Sequence, residues 1–340
     1  MLSPILNLSA NSPQSPRDCG DVSTIESELQ APPPRFRAPI PWDKWGRAAP
    51  KEFLTSPLFT AQKRDRVLML KETIATNSNV SMVATGVSLF QYDLDVFLLT
   101  VHHGRYGDSI RFSIREFVGD LHQKPQRRKR RLRKPGTQAR SINSVGGKSM
   151  LSALESIMRL ADFAIDLCVN NREAKFEYGY SGRLIDKATM TIGGVDVPLN
   201  DDIANHPGLS DAVVEVTLDP TLAVLFEQGR YTFIAPSTRC SLGSSPLALW
   251  LYGFVTAVGA PFDLPLPYYK RASGASGKPG EFKRLMVAAR KRLRQEKIVY
   301  SSRMVKGRLR FCMEKPEKLH ERKRSPKTPS QAALDVASEF

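Results

Sequence analysis

Cysteine and histidine are scarce in this chain, and acidic residues are well outnumbered by basic ones. Asp and Glu number 34 against 50 Lys and Arg, a formal net charge of +16 with the 5 His taken as neutral. The cysteines, Cys19, Cys168, Cys240 and Cys312, stand far apart. None forms a C-x-x-C pair or a cluster with histidine, which argues against a zinc module. Scattered cysteines suit a reducing compartment, where they act as small buried apolar residues. No apolar run approaches the roughly 20 residues that cross a bilayer. No charged n-region precedes an apolar core at the start of the chain, so a cytoplasmic location without membrane attachment is expected.

What is present is length, apolar content and positive charge. At 340 residues, 41% hydrophobic and 25% charged, the chain has the material for about two globular domains. The cationic excess implies an acidic partner, most often nucleic acid and less often an anionic membrane.

Three segments lack the pattern of packed structure. Residues 1–48 carry eight prolines in their first 41 positions, including APPPRFRAPIP, and are expected to form a disordered arm. Residues 314–340 form a charged tail broken by proline. Between them, KPQRRKRRLRK (124–134) holds eight basic residues in eleven and no acid. It sits in a basic loop, 122–147, of a length that compact domains rarely hold without a function.

Two similar blocks lie between these segments, 49–208 and 209–313. In the first, 67–75 and 80–90 alternate as strands, and 90–104 reads as a helix with Leu94, Phe97, Leu98 and Val101 on one face. Asp93 and Asp95 fall in its first turn and Gly104 marks its end. A short strand (109–113), a short helix capped by Ser113 with Glu116, and a helix over 148–161 follow. That last helix places Leu151, Leu154, Met158 and Ala161 inward and Ser149, Ser152, Ser156 and Arg159 outward, and three strands follow it. In the second block, 211–219 reads as a strand ending at an Asp219-Pro220 cap, and 242–259 as a helix capped by Ser245 with Pro246. A short helix or turn (266–274), a basic helix and a hairpin (297–313) turning at Lys306-Gly307 complete it.

The basic helix is KPGEFKRLMVAARKRLRQEK (278–297), with eight Lys and Arg against two Glu. Phe282, Leu285, Met286, Ala289 and Leu293 recur at helical spacing and form an inward stripe. Lys283, Arg284, Val287, Arg290, Lys291 and Arg294 collect on the other face. Helix, short helix, amphipathic helix and hairpin is the order of a winged helix-turn-helix, whose third helix enters the major groove. The expected fold is therefore α+β, with two tandem winged helix-turn-helix domains. The candidate DNA contacts are Lys278, Lys283, Arg284, Arg290, Lys291 and Arg294 on the basic helix, with Arg303, Lys306 and Arg308 on the hairpin. Arg127, Arg128, Lys129, Arg130 and Arg131 in the basic loop, with Lys148, Ser149, Ser152 and Arg159 on the helix after it, are expected to add phosphate contacts.

The catalytic readings are weaker. GGKS (146–149) lacks the first glycine of a phosphate-binding loop, because position 142 is Ile. His102 and His103 are adjacent, so on a helix they diverge by about 100° and share a metal poorly. Tyr268-Tyr269-Lys270 offers a nucleophile without an evident base. No cofactor, no metal and no enzymatic activity are expected.

Several stretches resemble plasmid replication initiators of the TrfA type: SPLFTAQKRDR (56–66), FQYDLDVFLLTVHHG (90–104), RFSIREFVGDL (111–121), GGKSMLSALESIMRLADFAIDL (146–167) and SPLALWLYGFVTAVGAPFDLP (245–265). The resemblance spans about 50–313. It implies a protein that binds repeated sites (iterons) in origin DNA, promotes origin opening and helps recruit the host initiator and replicative helicase. It also implies exchange between monomer and dimer, association with plasmid and nucleoid, and no catalysis. A transcriptional repressor or a rolling-circle nicking endonuclease are the alternative readings.

Overall fold

The computed structural model describes residues 46–312 apart from 63–64, 77–79, 105–108, 123–145, 172–175, 200–202, 204–205, 228, 260–261, 300 and 306. In chain order, β1 (Arg47–Pro50), α1 (Lys51–Thr55) and β2 (Phe59–Thr60) precede β3 (Leu68–Thr76) and β4 (Val80–Val87). β5 (Leu89–Phe90) opens α2 (Gln91–Gly104), then come β6 (Ser109–Ser113), α3 (Ile114–Leu121) and α4 (Gly147–Asp162). β7 (Ala164–Asn171), β8 (Phe176–Arg183), β9 (Lys187–Ile192), β10 (Val195–Val197), β11 (Val213–Thr217) and β12 (Tyr231–Ile234) follow. α5 (Pro236–Leu242), α6 (Pro246–Val258), β13 (Phe262–Pro265), α7 (Leu266–Ala272), α8 (Pro279–Gln295), β14 (Ser301–Val305) and β15 (Arg308–Cys312) complete a mixed α+β fold.

One strand arrangement occurs twice. β6 lies in sequence between α2 and α3, and β11 sits beside it, between β6 and β9, in one sheet. β13 lies in sequence between α6 and α7, and β15 sits between β13 and β14 in another. All four pairings are antiparallel. The strand expected at 211–219 is present as β11, but it closes the sheet of the first block rather than opening the second. Its alternating Val214 and Val216 are fully buried, which suits a central strand with a neighbour on each side. β12 crosses back likewise, pairing with β1 from Arg47↔Ile234 to Pro50↔Tyr231.

A separate sheet of order β3-β4-β7-β8 carries Met82, Ala84, Ile165, Leu167, Val169, Tyr178 and Tyr180 inward, alternating with exposed Ser81, Asp166, Cys168 and Asn170. Its edge strand β3 has two register shifts against β4, with Lys71 at φ 54°. A bulged, twisted edge pairs poorly with another chain, which is one way that sheets avoid edge-to-edge association.

Two helices form the centre, and both are apolar on nearly every side, as buried helices are. α2 buries Leu94 and Val96 through Val101, and α6 buries Leu247 through Val255. The rings of Phe53, Phe59 and Phe97 join α1, β2 and α2, with centroids 5.8–6.1 Å apart. α1 meets α6 closely. A Cβ on Gly253 would lie 3.0 Å from Leu54 Cδ2, and Trp250 Nε1 donates to the Ser56 carbonyl at 3.3 Å.

Two buried ion clusters tie the elements together. Asp93, with a fully buried side chain, accepts from Arg66 Nη1 (2.9 Å), Arg159 Nη2 (3.1 Å), Ser156 Oγ (2.7 Å) and the Phe90 amide (2.7 Å). The Phe90 bond is the reach-back half of a capping box, made by the third residue of α2. Arg239, 4% exposed, bridges Asp95, the Gln91 carbonyl (3.1 Å) and the Leu249 carbonyl (3.4 Å), joining α5 to α2 and α6. Ser113 and Ser245, expected to cap α3 and α6, make no side-chain cap bond. Asp219 does cap its 3-10 helix, accepting from the Thr221 amide at 2.8 Å.

Candidate nucleic-acid interface

α8 begins at Pro279, whose fixed φ and missing amide suit a first helical position. The turn before it is held from both sides. Lys270 Nζ donates to the Gly277 carbonyl at 2.6 Å, and the Ala61 amide donates to the Ser273 carbonyl at 2.8 Å. Gly274 at φ 60° leaves no room for a side chain, since a Cβ there would lie 2.9 Å from Thr60 Cγ2. The entry to α8 is thus fixed against the segment that follows α1.

Phe282, Met286, Ala289 and Leu293 are the buried positions of α8, spaced by four, three and four. They pack on α6, which gives the helix one seam. Leu285, expected inward, is 45% exposed. At 100° per residue it lies about 70° from the middle of this stripe, beyond the edge of the seam. Leu285→Asp should therefore cost about 1 kcal/mol or less, through helix propensity rather than burial. Thermal melts followed by circular dichroism check this, and loss of the cooperative transition would contradict the placement.

The outward face keeps Lys283, Arg284, Lys291 and Arg294 exposed, with Lys278 exposed at the N-cap. Arg290 is half-buried, and its guanidinium pKa is lowered by burial and then by Arg294 beside it. Crowded like charges of this kind are relieved by an approaching polyanion. Arg292 serves the fold instead. Its Nη1 donates to the Leu242 carbonyl at 2.8 Å, satisfying an orphan carbonyl at the end of α5.

On the adjoining hairpin, Arg308 is exposed and bound to Asp263, Nη2 to the carbonyl at 2.8 Å and Nε to Oδ1 at 3.3 Å. Arg310, which sequence reasoning passed over, is exposed on the same strand, and the register sets Arg303 opposite it. The R-L-R alternation around buried Leu309 was the signal that could have found it. Lys306 and the run Arg127, Arg128, Lys129, Arg130 and Arg131 lie outside the described residues.

The contacts expected on α4 divide. Lys148 is exposed in the first turn. Ser149 and Ser152 are half-buried, and Ser149 lines a cavity of about 710 Å³ with Arg47, Tyr92, His122 and Pro246. Arg159 turns inward to Asp93 while also pairing with the exposed Glu155 one turn before it, and Ser156, expected outward, is fully buried against Asp93. A buried carboxylate needs cations more than a solvated helix face does, so Asp93 draws both side chains in.

The residues weighed for catalysis are differently placed. Tyr269 is fully buried and its hydroxyl donates to the Leu309 carbonyl at 3.2 Å. The rings of His102 and His103 stand 6.1 Å apart at 76°. Among the described residues, no three His, Cys, Asp or Glu side chains are grouped to hold a metal ion. Among the same residues, no helix is long and apolar enough to cross a membrane.

No family model matches the chain. No curated protein matches it either. Among solved structures it is similar to domains 2 and 3 of RctB, at 12% identity over 78% of this chain and 99% of that one, with a TM-score of 0.49. At that level the similarity assigns neither fold nor function.

Proposed function

We propose that this protein is a sequence-specific double-stranded DNA-binding protein that initiates plasmid replication, and that it is not an enzyme. The observation that carries the DNA reading is α8, a 17-residue helix with one narrow apolar seam and a continuous cationic face. The major groove, about 12 Å wide, admits one such helix.

The surrounding topology supports a winged helix-turn-helix. α6, α7 and α8 precede the β14–β15 hairpin, and the strand between the first two helices pairs with the last strand of the hairpin. The same order of α2, α3, α4 and the strands β9 and β11 supports a first, matching domain. The boundary then falls after β11 rather than near 209. The arm ends before Arg47 rather than at 48, because Arg47 and Ala48 are buried in β1, and the tail lies outside both domains. In this reading the second domain reads bases and the first adds phosphate contacts or self-association.

The initiator role rests on the resemblance to TrfA-type proteins, as do iteron binding, helicase recruitment and the partnership with the host initiator. Direct repeats of roughly 17–22 base pairs beside the gene, about two turns of duplex, are the matching genomic sign. The test is a plasmid carrying only this gene and its flanking repeats. Autonomous maintenance supports initiation, and binding to the repeats without maintenance indicates a repressor.

Arg284→Ala is expected to cost about 1–3 kcal/mol on the cognate duplex and much less on random DNA, if Arg284 pairs with guanine. Fluorescence anisotropy on both duplexes checks it. An equal loss on both reduces Arg284 to a phosphate contact.

A further inference from the structure

The basic face of α8 has an apolar centre. Val287 is 49% exposed, on the outward side of the helix. Lys283 and Arg284 stand four and three residues before it, and Arg290, Lys291 and Arg294 three, four and seven after. In an α-helix the residues three and four positions away are the surface neighbours of a residue, and the seventh lies a further turn along the same face. Val287 is therefore flanked by four cations, with Arg294 a turn beyond them, on the face directed away from α6.

Solvent gives no reason for valine here. A β-branched side chain lowers helix propensity slightly, and half its surface stays in water without a packing partner. A single exposed apolar residue is ordinary on a protein surface. An apolar residue at the middle of a cationic face is a different case, because the partner of that face must offer anions around an apolar spot. Val287 also forms one edge of a depression of about 480 Å³, lined with Arg290, Lys291, Arg294, Lys297 and the buried Val299. Apolar surface and cationic rim share one concave region.

Duplex DNA matches this pattern. Phosphates flank the major groove on both sides, and the one apolar group on its floor is the 5-methyl of thymine. Resting on the reading of α8 as a groove-binding helix, we infer that Val287 is a specificity-determining residue that packs against a thymine 5-methyl group. The cations around it hold the phosphates and guanine edges on either side. The site read by α8 then contains at least one thymine whose methyl group, not only its hydrogen-bonding edge, is recognised.

The test removes only that methyl group. A cognate duplex is first selected by the full chain from a randomised 30-base-pair library. Each thymine is then replaced in turn by uracil, which pairs identically and lacks the 5-methyl. For the wild-type protein, uracil at one position should weaken binding about fourfold, the worth of one buried methylene-sized group. In Val287→Ala the same replacement should change binding less than twofold, and Val287→Thr, which keeps one methyl, should retain part of the penalty. Both variants should keep the wild-type thermal midpoint, since the side chain is exposed.

Uracil neutral at every position overturns the inference and leaves the DNA reading standing. A uracil penalty that persists undiminished in Val287→Ala also overturns it, by moving the contact to another residue. Failure of the library to enrich any sequence overturns the inference together with the DNA reading. Binding to phosphatidylserine vesicles that is lost in Val287→Ala, with uracil neutral, would assign the face to a membrane surface.

Discussion

Asp93→Ala is expected to lower folding stability by about 3–5 kcal/mol, the cost of removing one partner from a buried charge cluster. Its side chain is fully buried and accepts from two guanidinium groups, a hydroxyl and a backbone amide. The substitution leaves the Ser156 hydroxyl buried without its acceptor and brings two cations together with no anion between them. Arg66 and Arg159 remain 26% and 19% exposed, so water compensates them in part. Urea unfolding followed by circular dichroism reads the change directly. The triple replacement Asp93→Leu, Arg66→Met, Arg159→Met should recover much of the stability, since apolar packing can substitute for a buried ion cluster. A change below about 1 kcal/mol in the single variant would show that the cluster does not hold the first block together.

That cluster could not be read from the sequence. Arg66 and Arg159 lie 27 and 66 residues from Asp93, and nothing local marks their meeting. Helical periodicity gave the existence of α2 and its first turn, and the acid there was expected only to complement the helix dipole. The same limit explains Arg159 and Ser156, which a helical wheel places on a solvent face. Gly104 was read as a helix stop, while a Cβ there would come 2.7 Å from Leu218 Cδ1, on a residue more than a hundred positions away. β11 was legible as a strand from its alternating valines, but its partners were not. One of them pairs Glu215 with Arg111 across the chain. α8 was the most legible element because its signal is local. Its four-three-four apolar spacing and its cations gave both faces, and only Leu285 fell on the wrong side of a seam narrower than the pattern suggested.

The second large effect concerns those cations. Replacing Lys283, Arg284, Lys291 and Arg294 together with alanine should weaken DNA binding by roughly 10³-fold near 0.1 M salt, at about 1 kcal/mol for each cation removed. The salt dependence should flatten by about 0.9 unit of slope for each phosphate no longer neutralised. All four side chains are exposed, and alanine is the strongest helix former, so the thermal midpoint should hold or rise slightly. Removing Arg308 and Arg310 from β15 should flatten the slope in the same way without altering which sequence is preferred, because backbone contacts position a protein but carry no sequence information. If the α8 quadruple variant keeps wild-type affinity while folded, the cationic face is not the DNA-binding surface.

DNA recognition by α8 is tested most directly by selection on randomised 30-base-pair duplexes, with the 340-residue chain and its α8 quadruple variant run side by side at about 0.15 M salt. Wild type should enrich one sequence motif, the variant should enrich none, and the recovered DNA should carry no nicks. Enrichment of the same motif by both proteins, or no enrichment by wild type, would contradict recognition by α8.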